Sequence, residues 1–197
     1  MAPYVGRPLK RFEDPRLVTG QGSFVDDLRL PGMLHAVVLR SPHAHARILS
    51  LDAALARALP GVAAVLTASD IAGAVRDIPP RPTRELEGLQ VPAHPVLARD
   101  KVCYVGQPVA MVVAHDRYLA KDALELLRVE YDPLPPLIDP VAAAQDSATP
   151  LHAALGTNVA MRIHVGRGDL QAAFAQAACL VRERYEEIGR ASCRERV

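Results

Sequence analysis

Gln107 is held between Gly106 and Pro108, just ahead of the apolar run Pro108–Ala114. A glutamine fixed there can present its carboxamide to a substrate channel beside a cofactor domain, or tie down the backbone of its own turn. The turn is the favoured reading. His43 and His45 sit two apart in a proline loop. A metal would need further His, Cys or carboxylate ligands converging from elsewhere, so ordinary polar hydrogen bonding is favoured for both. Gly20-Gln21-Gly22 lacks the third glycine and the strand-before, helix-after context of a dinucleotide loop, which leaves a turn that needs positive φ. Arg11, Glu13, Asp14 and Arg16 offer acid and base groups, but nothing identifies a buried pair. They read as a clamp on the start of the chain. Cys103, Cys179 and Cys193 are widely spaced and form no CxxC, so small buried hydrophobes and a stray are favoured over a disulfide framework or zinc site. No residue is expected to be catalytic, cofactor-binding or metal-ligating.

The elements around these residues follow from periodicity. Gly6–Leu28 holds three glycines and two prolines and reads as an irregular leader, neither helix nor strand. Strands are predicted at Met33–Arg40, Ala46–Leu51, Val62–Thr67, Val102–Val105, Pro108–Ala114 and Arg128–Tyr131. Asp52 offers a cap for a short helix over Ala53–Leu59, and Asp116 caps a longer one over Arg117–Leu127. Leu119, Ala120, Ala123, Leu124 and Leu127 give that second helix one apolar stripe. Ser69-Asp70-Ile71 reads as a single helical turn, and Ile78–Pro95 as a long, proline-rich surface loop. Two strand–helix–strand units therefore make a compact α/β domain over residues 20–140, behind a leader at 1–19. An Ala-rich linker at 141–158 follows. A strand Val159–Val165, a helix Asp169–Ala177 and a strand Cys179–Tyr185 then read as the unfinished start of a second α/β domain, 159–186.

The chain has 197 residues, half of them hydrophobic, 23% charged, with a net charge of +1. That suits one ordinary globular domain and part of another. No basic cluster is present and aromatics are 4%, which excludes an evident nucleic-acid surface. No apolar run approaches the roughly 20 residues that cross a bilayer. The start MAPYVGRPLKRF lacks the apolar core of a secretory signal, so the expected location is the cytoplasm. Residues 187–197, EIGRASCRERV, spell the in-frame translation of a standard short-read sequencing adapter and are expected to be an artefact. Setting aside its three Arg and two Glu leaves 20 basic and 20 acidic residues of the 23 and 22.

Several fragments resemble one family in order along the chain. They are the leader GRPLKRFEDPRLVTGQGSFVDDL, LRSPHAHARI at 39–48, PGVAAVLTASDI at 60–71 and VCYVGQPVAMVVA at 102–114. ALELLRVEYDPLPPLIDP at 123–140 and GRGDLQAAFAQAACLVRERY at 166–185 continue the series. Together they are similar to the start of the molybdenum-binding large subunits of the xanthine dehydrogenase, aldehyde oxidase and aerobic carbon monoxide dehydrogenase family. The resemblance implies a hammerhead-type α/β (α+β) domain of mixed sheet with short helices, then the beginning of a molybdopterin-binding domain. It implies an oxidoreductase that hydroxylates or oxidises a small substrate such as carbon monoxide, an aldehyde, a purine or an N-heterocycle, with oxygen from water. The molybdenum–pterin cofactor would belong to the complete subunit, and [2Fe-2S] clusters and FAD to partner subunits or domains. The family's cofactor loops and glutamate base match no position here, so the resemblance implies an inactive fragment. The alternative is a stand-alone hammerhead module for binding or assembly.

Overall fold

The computed structural model describes residues 6–79, 88–145, 147–183 and 185. In chain order its elements are α1 (Asp14–Val18), β1 (His35–Arg40), β2 (Ala46–Asp52), α2 (Ala54–Ala58) and β3 (Val62–Thr67). There follow β4 (Lys101–Val102), β5 (Pro108–Ala114), α3 (Arg117–Glu125), β6 (Arg128–Pro133), α4 (Pro140–Ala143) and α5 (Leu170–Ala175). Two three-stranded sheets form, ordered β1-β5-β3 and β4-β2-β6. Every pairing is antiparallel, so the α/β reading holds while the expected mixed sheet is corrected. The reason lies in the connections. Helix α2 joins β2 to β3 and α3 joins β5 to β6, and each carries the chain from one sheet to the other. A strand that leaves its sheet has no parallel neighbour to return to.

Strand β5 is central because it can be buried on both faces. Its side chains alternate, sending Ala110 and Val112 into one core and Val109 into the other. The first core packs Ala53 and Ala56 beside α2, and Ala123 and Leu127 from the α3 region, against Val65, Ala110 and Val112. Alanine on both sides of this contact lets helices and sheet approach closely, and Ala56, Ala110 and Ala123 are fully buried. The second core gathers Ala46, Ala98, Val102 and Val109 under Ile48, Leu51, Val129 and Tyr131.

Asp116 caps its helix as expected, whereas Asp52 stands one residue before the cap of α2, which is Ala53. The Asp116 carboxylate accepts from the backbone N–H groups of Tyr118 (2.8 Å) and Leu119 (3.2 Å). Asp52 accepts from Ala54 N–H at 2.9 Å. Gly61 ends α2's approach to β3 at φ +89°, where a Cβ would lie 2.6 Å from Leu119 Cδ2. Asp169 starts α5 by accepting from Ala172 N–H at 3.0 Å.

Ser69–Ile71 does make the single helical turn expected of it, with the Asp70 and Ile71 N–H groups both donating to the Thr67 carbonyl. Three further expectations change. The leader contains α1 and a 3-10 turn at Val25–Asp27: Asp14 and Asp27 accept from the Arg11 and Phe24 N–H groups at their starts, and Gly20 turns the chain out of α1. The strand predicted at Val102–Val105 stops at Val102, where the chain turns to bring Gln107 back onto Cys103. Val159–Val165 and the described part of Cys179–Tyr185 are not strands. They find no sheet edge to pair with, and Val165 and Val181 stay 91% and 75% exposed. The adapter-like residues 187–197 lie outside the described residues.

Candidate functional site

Where β4 meets the loop that precedes it, a cleft of about 440 Å³ opens beside Gln107. Ile78, Pro92 and Pro95 supply apolar wall, and Lys101, Cys103 and His152 supply polar groups. The backbone around it is well tied. Ile78 N–H donates to His94 O at 2.8 Å, and Ala98 N–H to Pro108 O at 2.8 Å. Gln107 is 5% exposed, and its Oε1 accepts from Cys103 N–H at 2.7 Å. Its carbonyl accepts from Ser41 N–H at 2.9 Å, which locks the turn to the end of β1. The glutamine thus does the backbone-tying job, while one side of it still lines the cleft.

Electrostatics in the cleft keep its nucleophile quiet. Burial pushes the Cys103 thiol up, and the nearby Lys101 ammonium only partly opposes this. Burial also lowers the pKa of His152, with the Lys101 and His45 charges adding to the effect. A thiol whose pKa is raised by burial is not an activated nucleophile. Lys101 Nζ donates to the Leu151 carbonyl and so staples the segment after α4 onto β4.

The two loop histidines do not converge. His43 stacks its ring on Tyr131, with centroids 4.9 Å apart at 59°, and its backbone is clasped by the buried Ser41 hydroxyl. His45 Nδ1 meets the Pro135 carbonyl at 2.9 Å. A carbonyl only accepts, so Nδ1 carries the proton of this bond, and the other ring nitrogen is Nε2. That Nε2 is buried with no partner among the described residues. No group of three or more His, Cys, Asp or Glu is placed to hold a metal among the described residues.

Gly20 turns at φ +72°, and the N–H groups of Gly20 and Gln21 close α1 on the Leu17 and Arg16 carbonyls. It is a helix stop. Among the described residues, the expected clamp of Arg11, Glu13, Asp14 and Arg16 is not built from ion pairs: Asp14 accepts from the Arg11 backbone at 3.0 Å. The tie from leader to body is instead Asp26 to Arg117, at 3.4 Å. Asn158 escaped the sequence reading altogether. Its amide accepts from Leu151 N–H (2.7 Å) and donates to Ala143 and Thr149 carbonyls (3.1 and 3.2 Å), which turns the supposed linker into a closed loop.

With antiparallel sheets, sheet-crossing helices and no assembled catalytic group among the described residues, the architecture rather than a site decides the relationship. Residues 19–135 match the family described as aldehyde oxidase and xanthine dehydrogenase, a/b hammerhead domain. The chain belongs to that family. Across the hammerhead family it is 43% identical over 188 residues to the 6-hydroxypseudooxynicotine dehydrogenase complex subunit gamma of Paenarthrobacter nicotinovorans, covering 92% of this chain and 23% of that one. It is 48% identical over 144 residues to the carbon monoxide dehydrogenase large chain of Afipia carboxidovorans, covering 73% and 17%. The quinoline 2-oxidoreductase of Pseudomonas putida 86 has the same fold at a TM-score of 0.79 and 42% identity, covering 89% of this chain and 22% of that one. The chain thus spans less than a quarter of the length of each. Hammerhead-family members of this kind are large chains of molybdenum-dependent oxidoreductases. No helix among the described residues is long and apolar enough to cross a membrane.

Proposed function

We propose that this chain is the leading part of the large subunit of a molybdenum-dependent oxidoreductase and serves there as scaffold rather than as catalyst. The observation that carries the reading is the contrast between a well-packed double-sheet body and terminal segments that bury nothing. Neither α1 nor α5 contains a buried residue, while Ile163, Val165, Leu170 and Phe174 are all more than half exposed. Apolar chain of that kind suits packing against further protein. Relatives more than four times longer supply the expected source. On this reading residues 159–186 lead into a molybdopterin-binding domain.

The described residues do not fit the molybdenum–pterin group. Among the described residues no group of three or more His, Cys, Asp or Glu is placed to hold a metal, and Arg99 in the cleft is paired with Asp77. The cofactor is therefore assigned to the rest of the subunit, and FAD and iron–sulfur groups to companion subunits. The substrate would be a small molecule of the class that such enzymes hydroxylate or oxidise, in the cytoplasm. No residue described here is given a catalytic, cofactor-binding or metal role.

Two measurements test this. An open reading frame running several hundred codons past the codon for residue 186 is the expected outcome, and an immediate stop would favour a stand-alone module. The purified chain, produced in a host that makes the cofactor, is expected to hold no molybdenum by elemental analysis. Stoichiometric metal, or turnover of an aldehyde with an artificial electron acceptor, would sink the scaffold reading.

A further inference from the structure

The Cys103 N–H fixes which end of the Gln107 carboxamide is oxygen, since an amide nitrogen cannot accept that bond. The NH2 that remains has no acceptor among the described residues, although Gln107 is 95% buried and lines the cleft. A donor that lines the cleft and has no acceptor among the described residues is available to an occupant. Beside it, Lys101 spends one ammonium proton on Leu151 O and keeps two. Arg99 is paired with Asp77, so Lys101 and Asp100 are the charges left in the lining, and the Cys103 thiol is a further weak donor. Opposite these groups stand Ile78, Val91, Pro92 and Pro95. A few convergent donors facing an apolar wall, in about 440 Å³, is the composition of a small-ligand site.

We propose that this cleft binds a small, flat carboxylate, its oxygens on Lys101 Nζ and the free Gln107 NH2, its ring against Ile78, Pro92 and Pro95. The assignment is independent of the oxidoreductase reading, because it uses only residues of this body and no redox step.

Cys103 reports occupancy, and exposed Cys179 is the internal control. The full chain is alkylated with iodoacetamide at about pH 9, where more of any thiol is ionised than at neutral pH. Benzoate at about ten times its dissociation constant is expected to slow labelling of Cys103 about tenfold and to leave Cys179 unchanged. Lys101→Met and Gln107→Glu should each abolish the protection. Gln107→Glu keeps an oxygen for Cys103 N–H, so the turn survives while the free NH2 becomes an anionic oxygen. Benzyl alcohol, which keeps the ring and lacks the charge, should not protect. The proposal is overturned by unchanged Cys103 labelling in benzoate, by equal protection from benzyl alcohol, or by protection that persists in both variants. Protection that grows with protein concentration without benzoate puts a second copy in the cleft, and overturns it equally.

Discussion

Gln107 and Gly61 are single residues on which long stretches of chain depend. Gln107 closes the turn from β4 to β5 and meets the end of β1 through its carbonyl. Gln107→Leu leaves the Cys103 N–H without its acceptor in a part-buried place. The expected loss is about 1–3 kcal/mol, measured by urea denaturation. An unchanged midpoint would show that water replaces the glutamine at no cost. Gly61→Ala is expected to cost a similar amount, about 1–3 kcal/mol, because the position has positive φ and the new methyl meets Leu119 Cδ2 at 2.6 Å. Gly61→Ala with Leu119→Ala relieves only the clash, so the double variant separates the two causes. The turn role of Gln107 was legible from its Gly and Pro neighbours. Asn158 was not, since its partners at Ala143, Thr149 and Leu151 are set by tertiary closure and leave no periodic mark.

At the scale of elements, apolar runs and caps located strands and helices well. Val62–Thr67 and Pro108–Ala114 form over the ranges that their patterns predict. Pairing was not legible. The order β1-β5-β3 depends on which sheet each connection crosses to, and strand patterns carry no such label. Isolated runs such as Val159–Val165 mislead for the same reason, because a strand needs a partner edge that local sequence cannot supply. The cap of α3 gives a prediction with a pH signature. Asp116 has its pKa lowered, first by the Leu119 N–H and then by the Tyr118 N–H. A carboxylate whose folded pKa is depressed adds stability above its unfolded value of 3.8, and this is lost as pH falls through the lower folded value. Asp116→Ala should lower Tm at neutral pH, with Asp116→Asn closer to wild type. Acid should then destabilise both variants less than wild type below 3.8. Parallel Tm–pH curves for all three proteins would refute the cap's ionic contribution.

For the whole molecule, the distribution of burial divides the chain into a body and two arms. Among the described residues, the buried apolar ones all lie between Ala46 and Leu127. Before β1, Phe12, Val18 and Val25 are more than four-fifths exposed, and beyond Asn158 so are Val165 and Tyr185. Backbone that rests on so few contacts opens at little cost in free energy, whereas cleavage within the sheets must wait for the cores to open. Trypsin is therefore expected to cut after Arg11, Arg29 and Arg167 before it cuts after Arg47, Arg57 or Arg128, by at least about tenfold in rate. Mass spectrometry of a time course reads the order directly. If bonds inside β2, α2 and β6 are lost at the same rate as those in the arms, the two sheets do not form a stable unit by themselves. The same digestion inside a longer subunit should spare the arms, because the apolar residues that they expose here would then be packed.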